Sequence, residues 1–217
     1  MNCGSYIGRL GVRVAVKGQT QNLSSFKLPQ GFRGRSAWFV QFWWIARATL
    51  FYPSPQVFYG WRRFLLRLFG ARIGKGVIIR PSVEVTYPWN LSIGDHSWIG
   101  DKVTLYTLGE IEIGENAVVS QHSYLCTGSH DYTLPTFDIY AVPIRIGDEA
   151  WLSTRVFLGP GVTVGAGAVV GAGSVALKDV PAGMVCAGNP LRVLRPRPTR
   201  NGSRAEIASR IDENERE

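Results

Sequence analysis

Three histidines, His96, His122 and His130, are the side chains of this 217-residue chain best suited to moving protons near neutrality. A histidine can take a proton from a hydroxyl and pass it to a leaving group, which is the work of a general base. His130 stands in the run Cys126-Thr127-Gly128-Ser129-His130-Asp131-Tyr132. Taken alone, those residues leave two readings open: a base projecting from a scaffold surface, or an exposed loop histidine. No metal site is expected, because the histidines lie 26 and 8 residues apart and match no ligand spacing. Cys3, Cys126 and Cys186 show neither pairing nor metal spacing, and read as reduced thiols of a cytoplasmic protein. Cys126 is near His130, but its place in an apolar run makes it a core residue rather than a nucleophile.

The elements that must position His130 are written in sixes. Ile146, Leu152, Leu158, Val164 and Val170 each open a block of six whose second residue is Gly or Ser and whose fifth is small or slim. Neither a helix nor a half-buried strand places an aliphatic at every sixth residue. A short strand, a tight corner and another short strand does, and three such blocks close one triangular coil of a parallel β-helix. The same sixes run at Ile73, Ile79, Val85 and Leu91, slip by two, and resume at Ile93, Ile99, Leu105 and Ile111. They slip by two again, to Ile113, Val119 and Leu125. The first coils are therefore 20 residues long, from 73 to 93 and 93 to 113, against 18 from 146 to 164. Between Leu125 and Ile146 the pattern stops, and residues 127–143 are predicted to leave the coil as a loop. Regular coils on both sides make that loop the natural seat of function, since binding and catalytic groups sit on loops held by a rigid scaffold.

Ahead of the coils the chain is different. Residues 1–72 hold eleven Lys and Arg and no acidic residue, whereas the remainder holds thirteen against sixteen, so the net charge of +8 belongs to the amino-terminal segment. An anionic membrane surface or a lipid-linked, polyanionic sugar suits such a segment, and a solvated basic arm is the plain alternative. Nucleic acid is not expected, because no binding motif accompanies the charge. The first apolar stretch is broken by Arg9, Arg13 and Lys17, so no secretory signal is predicted. Residues 38–52 are apolar and aromatic, and residues 60–69 alternate Arg with Leu and Phe; both read as helices. The first is too short for the ~20 residues a bilayer crossing needs. It either packs on the open end of the β-helix or lies in a membrane interface, where Trp and Tyr are favoured. The expected divisions are a basic, partly disordered segment 1–35, a helical extension 36–72, the β-helix 73–195 and a disordered tail 196–217.

The hexads resemble the hexapeptide-repeat acyltransferases, which implies an all-β, left-handed parallel β-helix with an N-terminal helical extension. Thr127-Gly128-Ser129-His130 followed by Pro143-Ile144-Arg145-Ile146-Gly147-Asp148-Glu149-Ala150-Trp151 is similar to the catalytic region of galactoside and maltose O-acetyltransferases. Tyr59-Gly60-Trp61-Arg62-Arg63, Tyr87-Pro88-Trp89 and the His130 run resemble the colanic acid biosynthesis acetyltransferases. The resemblance implies transfer of acetyl from acetyl-CoA to a sugar hydroxyl of an exopolysaccharide intermediate, with His130 as the base. It implies that the backbone N–H near Thr154 stabilises the oxyanion and that Trp151 lines the acyl site. Ala172 would border the pantetheine arm, and Lys178, Arg192 and Arg195 would meet the phosphates of the coenzyme. The family's assisting asparagine falls at Gly100, so Asp101 or Tyr106 would substitute. A homotrimer with its active sites between subunits is implied, as is a cytoplasmic enzyme with peripheral membrane contact through residues 1–70. Two rivals stand beside this reading: acetylation of a free sugar or serine, and a non-catalytic β-helix that docks on membranes.

Overall fold

The computed structural model describes residues 20–198, so the expectations of disorder at the start and over 199–217 lie outside the described residues. The sixes fold as the spacing requires. Face 1 of the prism stacks Arg72–Ile73, Leu91–Ile93, Ile111–Ile113, Ile144–Ile146 and Thr163–Val164 in parallel. Face 2 stacks Ile78–Ile79, Trp98–Ile99, Val118–Val119, Trp151–Leu152, Val169–Val170 and Met184–Ala187. Face 3 stacks Glu84–Val85, Thr104–Tyr106, Tyr124–Cys126, Phe157–Leu158 and Val175–Ala176. The register follows the repeat: Ile73 pairs with Ile93, Ile93 with Ile113, Ile113 with Ile146, and Ile146 with Val164. Each of these aliphatics is buried in one continuous column. Burying such a side chain contributes about 1.5–3 kcal/mol, and the repeat collects that gain at every sixth position.

The corners explain the other two histidines. Where face 1 turns into face 2, a left-handed residue recurs coil after coil, including His96, Asn116 and Glu149 with Gly76, Gly167 and Gly183. Where face 2 turns into face 3, Lys102, His122, Arg155 and Gly173 do the same. His96 and His122 are thus exposed corner residues on different edges of the prism. Among the described residues, no group of three or more His, Cys, Asp or Glu is arranged to hold a metal.

The excursion after Leu125 is more than the loop the sequence suggests. Gly128–His130 pairs antiparallel with Ile139–Ala141, so His130 stands at the tip of a hairpin arm. Ile139 and Ala141 pack against Leu108, Tyr87 and Val40, an apolar cluster beside the main core. Leu108 and Tyr87 come from the widened corners that the two-residue slips create. The insertions therefore build the ledge that carries the hairpin.

Helix α1 (Ala37–Ala46) continues into one π-helical turn, Arg47–Phe51, and α2 (Tyr59–Leu68) follows. Ser36 caps α1 by accepting from the Phe39 N–H at 3.3 Å. Together the helices close the first coil. Trp43 Nε1 donates to the Val85 carbonyl at 3.0 Å, Arg62 Nε to Ile79 at 2.7 Å, Arg63 Nη1 to Val77 at 2.8 Å, and Arg67 Nε to Ile73 at 2.9 Å. An open coil edge invites pairing with another chain, and these donors occupy it. Three of the arginines that looked like a solvated or anion-seeking charge are therefore clamps on backbone carbonyls, Arg62 buried, Arg63 half-buried and Arg67 at the exposed rim. No helix among the described residues is long and apolar enough to cross a membrane.

Candidate active site

His130 is half-buried and held on two sides. Its Nδ1 lies 2.8 Å from the Phe137 carbonyl oxygen, and its ring stacks on the Phe137 ring at 4.3 Å between centroids, 9° from parallel. A carbonyl oxygen only accepts, so Nδ1 carries the proton in this bond and Nε2 keeps the lone pair. That is the tautomer a general base needs. Phe137 adopts φ +53°, a left-handed backbone that a bulky residue rarely takes. Phe26 closes a third side, its ring centroid 6.1 Å from that of His130, and its segment is tied to the loop by Asn22 N–H donating to Pro135 O at 2.8 Å. Asp131, next in sequence, accepts from the Thr133 hydroxyl and N–H, which hold its carboxyl below the usual pKa.

The arm leaves the coil under tight constraint. A Cβ on Gly128 would meet Leu108 Cδ1 at 2.7 Å and Tyr106 Cε1 at 3.2 Å, so a larger residue there would have to displace the Leu108 side chain. Thr127 is buried, donates to Tyr106 O at 2.6 Å and accepts from Gly109 N–H at 2.9 Å. Burial pushes the Cys126 thiol pKa up, and the thiol donates to Gly128 O at 3.1 Å, so it stays protonated and is a poor nucleophile.

The other predicted residues form a second group elsewhere. Trp151 projects from face 2 and donates from Nε1 to Ser120 Oγ at 3.0 Å. Thr154 and Ala172 follow one above the other on the corner between faces 2 and 3, where Gly173 N–H donates to Thr154 O at 2.9 Å. Thr154 Oγ1 donates to Gln121 O at 2.9 Å. Among the described residues, the backbone N–H groups of Thr154 and Ala172 have no acceptor. Arg192 and Arg195 lie exposed on the strand Arg192–Pro196, which pairs antiparallel with Met184–Ala187 of face 2. Asp101 sits lower on the same corner as Thr154. Its carboxylate accepts from Arg80 Nε at 3.0 Å and Ser82 Oγ at 2.8 Å and shares no hydrogen bond with His130. Tyr106 is nearer the arm, against Gly128, with its pKa raised by burial.

Lys178 belongs with His130 rather than with that group, on the corner where face 3 turns into face 1. The eight candidate residues thus fall into two groups, on either side of face 3. Five extended residues, on the order of 15 Å, separate Thr154 from the corner that carries the His130 arm in the coil below. Within this chain the two groups do not meet. Phe137 and Phe26 were absent from the sequence reading. Nothing in the irregular run 131–138 announces a carbonyl aimed at His130, and Phe26 is more than a hundred residues away.

No family model matches the sequence. WcaF of Escherichia coli (strain K12), named as a colanic acid biosynthesis acetyltransferase, is 60% identical over 177 residues, covering 82% of this chain and 97% of its own. The galactoside O-acetyltransferase of the same strain is 31% identical over 137 residues, 62% of this chain and 68% of its own. The hexapeptide-repeat acetyltransferase VCA0836 of Vibrio cholerae, solved with acetyl coenzyme A, superposes with a TM-score of 0.69 at 26% identity, over 76% of this chain and 92% of that one.

Proposed function

The chain belongs to the hexapeptide-repeat acetyltransferases, and from that premise we propose that it moves acetyl from acetyl-CoA to a sugar hydroxyl of an exopolysaccharide intermediate, with His130 as general base. The observation that carries the proposal is the Nδ1 contact with Phe137 O, which leaves Nε2 as the basic nitrogen. Nε2 takes the hydroxyl proton while the oxygen attacks the thioester carbonyl. The tetrahedral oxyanion gains a hydrogen bond from a free corner N–H, for which Thr154 is the candidate. Collapse breaks the carbon–sulfur bond, and the imidazolium returns its proton to the leaving thiolate. No acyl-enzyme forms.

The division into half-sites supports a homotrimer whose sites lie between subunits. The His130 edge of one copy would face the Trp151, Thr154 and Ala172 edge of the next, with Lys178 on one side and Arg192 and Arg195 on the other available to the coenzyme phosphates. The exposed, donor-rich guanidinium groups suit phosphate. Cys126 and Cys186 are free, as suits the cytoplasm.

Following thiol release from acetyl-CoA with a panel of sugar acceptors tests the reading. His130→Ala should lower kcat about 10²–10⁴-fold with the oligomer intact by light scattering. Retained turnover removes His130 from the mechanism. Ala172→Trp should block the coenzyme side and be inactive by itself. Unfolded together and refolded as an equal mixture, the two inactive variants should regain about a quarter of wild-type activity, the share of junctions with both halves intact under random assembly. No recovery would place both halves of each site within one chain.

A further inference from the structure

The two helices of the cap bury one apolar face, Trp43 on α1 and Leu65 and Leu66 on α2, and turn a second apolar stripe to solvent. On α2, Arg62 is wholly buried while Trp61, Phe64 and Leu68, spaced three and four apart, face solvent. Phe64 is 54% exposed. On α1, Val40, Trp43 and Ala46 face the coil, and the opposite stripe shows Trp38 at 77%, Phe42 at 61% and Ile45 at 60% exposed. A helix apolar all round is normally covered on every side. These two stripes are continuous: an apolar recess of about 710 Å³ reaching Trp61 and Phe64 meets another of about 440 Å³ reaching Phe42 and Leu68 at Thr49 and Leu50. An exposed apolar patch of that extent marks an interaction surface.

Charge selects what covers it. No Asp or Glu precedes Glu84 in the chain, and Arg33, Arg35 and Arg72 are exposed on the cap and its flank. A second copy would press this positive face against itself. An anionic lipid surface supplies the opposite charge, and its interface is where Trp side chains are favoured. Basic charge and insertable aromatic rings together meet the two-signal requirement for stable peripheral binding. We propose that the outer face of α1, the π-helical turn and α2 seats this protein on an anionic bilayer surface, with the helices lying in the interface and the β-helix standing away from it. The clamps Arg62, Arg63 and Arg67 hold the helices in that orientation.

Full-length protein is mixed with vesicles of phosphatidylcholine containing 30% phosphatidylglycerol, or of phosphatidylcholine alone, and floated on a density gradient. The anionic vesicles should carry at least tenfold more protein, and Trp38→Gln/Phe42→Gln/Phe64→Gln should reduce that fraction at least tenfold. Brominated acyl chains should quench tryptophan fluorescence of the wild type, a readout that needs no variant. Protein left at the bottom of the gradient, equal flotation with both vesicles, or undiminished flotation of the triple variant overturns the proposal. So does a fall in the variant's mass by light scattering, which would make the face a contact between copies. Deleting the cap is no substitute, since it would strip the donors from the first coil.

Discussion

The arginines at the two ends of the β-helix have opposite environments. At the first coil Arg62, Arg63 and Arg67 donate to backbone carbonyls, and Arg62 is wholly buried. At the last, Arg192 and Arg195 are exposed, and their side chains donate to no acceptor among the described residues. The difference follows from what closes each end. The last coil is met by a strand, Arg192–Pro196, whose own backbone pairs with Met184–Ala187. The first coil is met by helices, whose backbone N–H groups are already used along the helix axis. Only side chains can then reach the edge carbonyls, and Arg and Trp are donor-only groups long enough to do so. A coil closed by helices needs side-chain donors at its edge, whereas the closing strand leaves Arg192 and Arg195 free for a ligand, and only Arg197 beyond it donates to carbonyls, those of Glu149 and Gly167.

The largest effect should come from Arg62. Its guanidinium serves Ile79 O, Pro55 O, Gln56 O and Ser54 Oγ with no carboxylate partner, and burial pulls its pKa below the usual value. Arg62→Leu strands the buried Ile79 O and Ser54 Oγ and the part-buried Pro55 O and Gln56 O, and should cost about 3–5 kcal/mol, read from denaturant unfolding at fixed protein concentration. Arg62→Lys should not restore it, because one ammonium cannot span the fork. Wild-type stability in Arg62→Leu would mean that the helices are held by apolar packing alone. Trp43→Phe sharpens the point with a smaller change. It keeps the ring packed against Phe51 and Phe69 but removes the donor to Val85 O, and should cost about 1–3 kcal/mol.

Arg62 also marks where sequence reading stopped. The coils were legible because a six-residue period has one cheap solution, so even the pairing of Ile113 with Ile146 across the excursion follows from it. The place of the excursion was legible as a break in that period. Its content was not: the hairpin rests on Ile139 and Ala141 meeting Leu108, a contact between segments with no shared period. Likewise, the rule that helices turn aliphatics inward and charges outward holds only in part at α2: Leu65 and Leu66 are buried as it requires, but Arg62 is buried beside them because the surface includes a row of carbonyls. The site divides along the same line. His130 is a candidate by residue type and place, whereas the group that meets its Nδ1 is a backbone oxygen, which no side-chain pattern encodes.

The smallest stability effect belongs to the other end, and there the contrast is most exposed to failure. Arg192→Ala/Arg195→Ala removes two solvated charges from an edge strand whose pairing is made by backbone. Unfolding free energy should therefore stay within about 0.5 kcal/mol of wild type. If these guanidinium groups meet coenzyme phosphates, each exposed contact contributes about 1 kcal/mol, roughly fivefold in affinity. KM for acetyl-CoA should then rise well over tenfold in the double variant, with kcat and the KM for acceptor little changed. Titration calorimetry with desulfo-coenzyme A separates binding from turnover. A variant that unfolds early yet binds the coenzyme normally would make the arginines of the two ends alike.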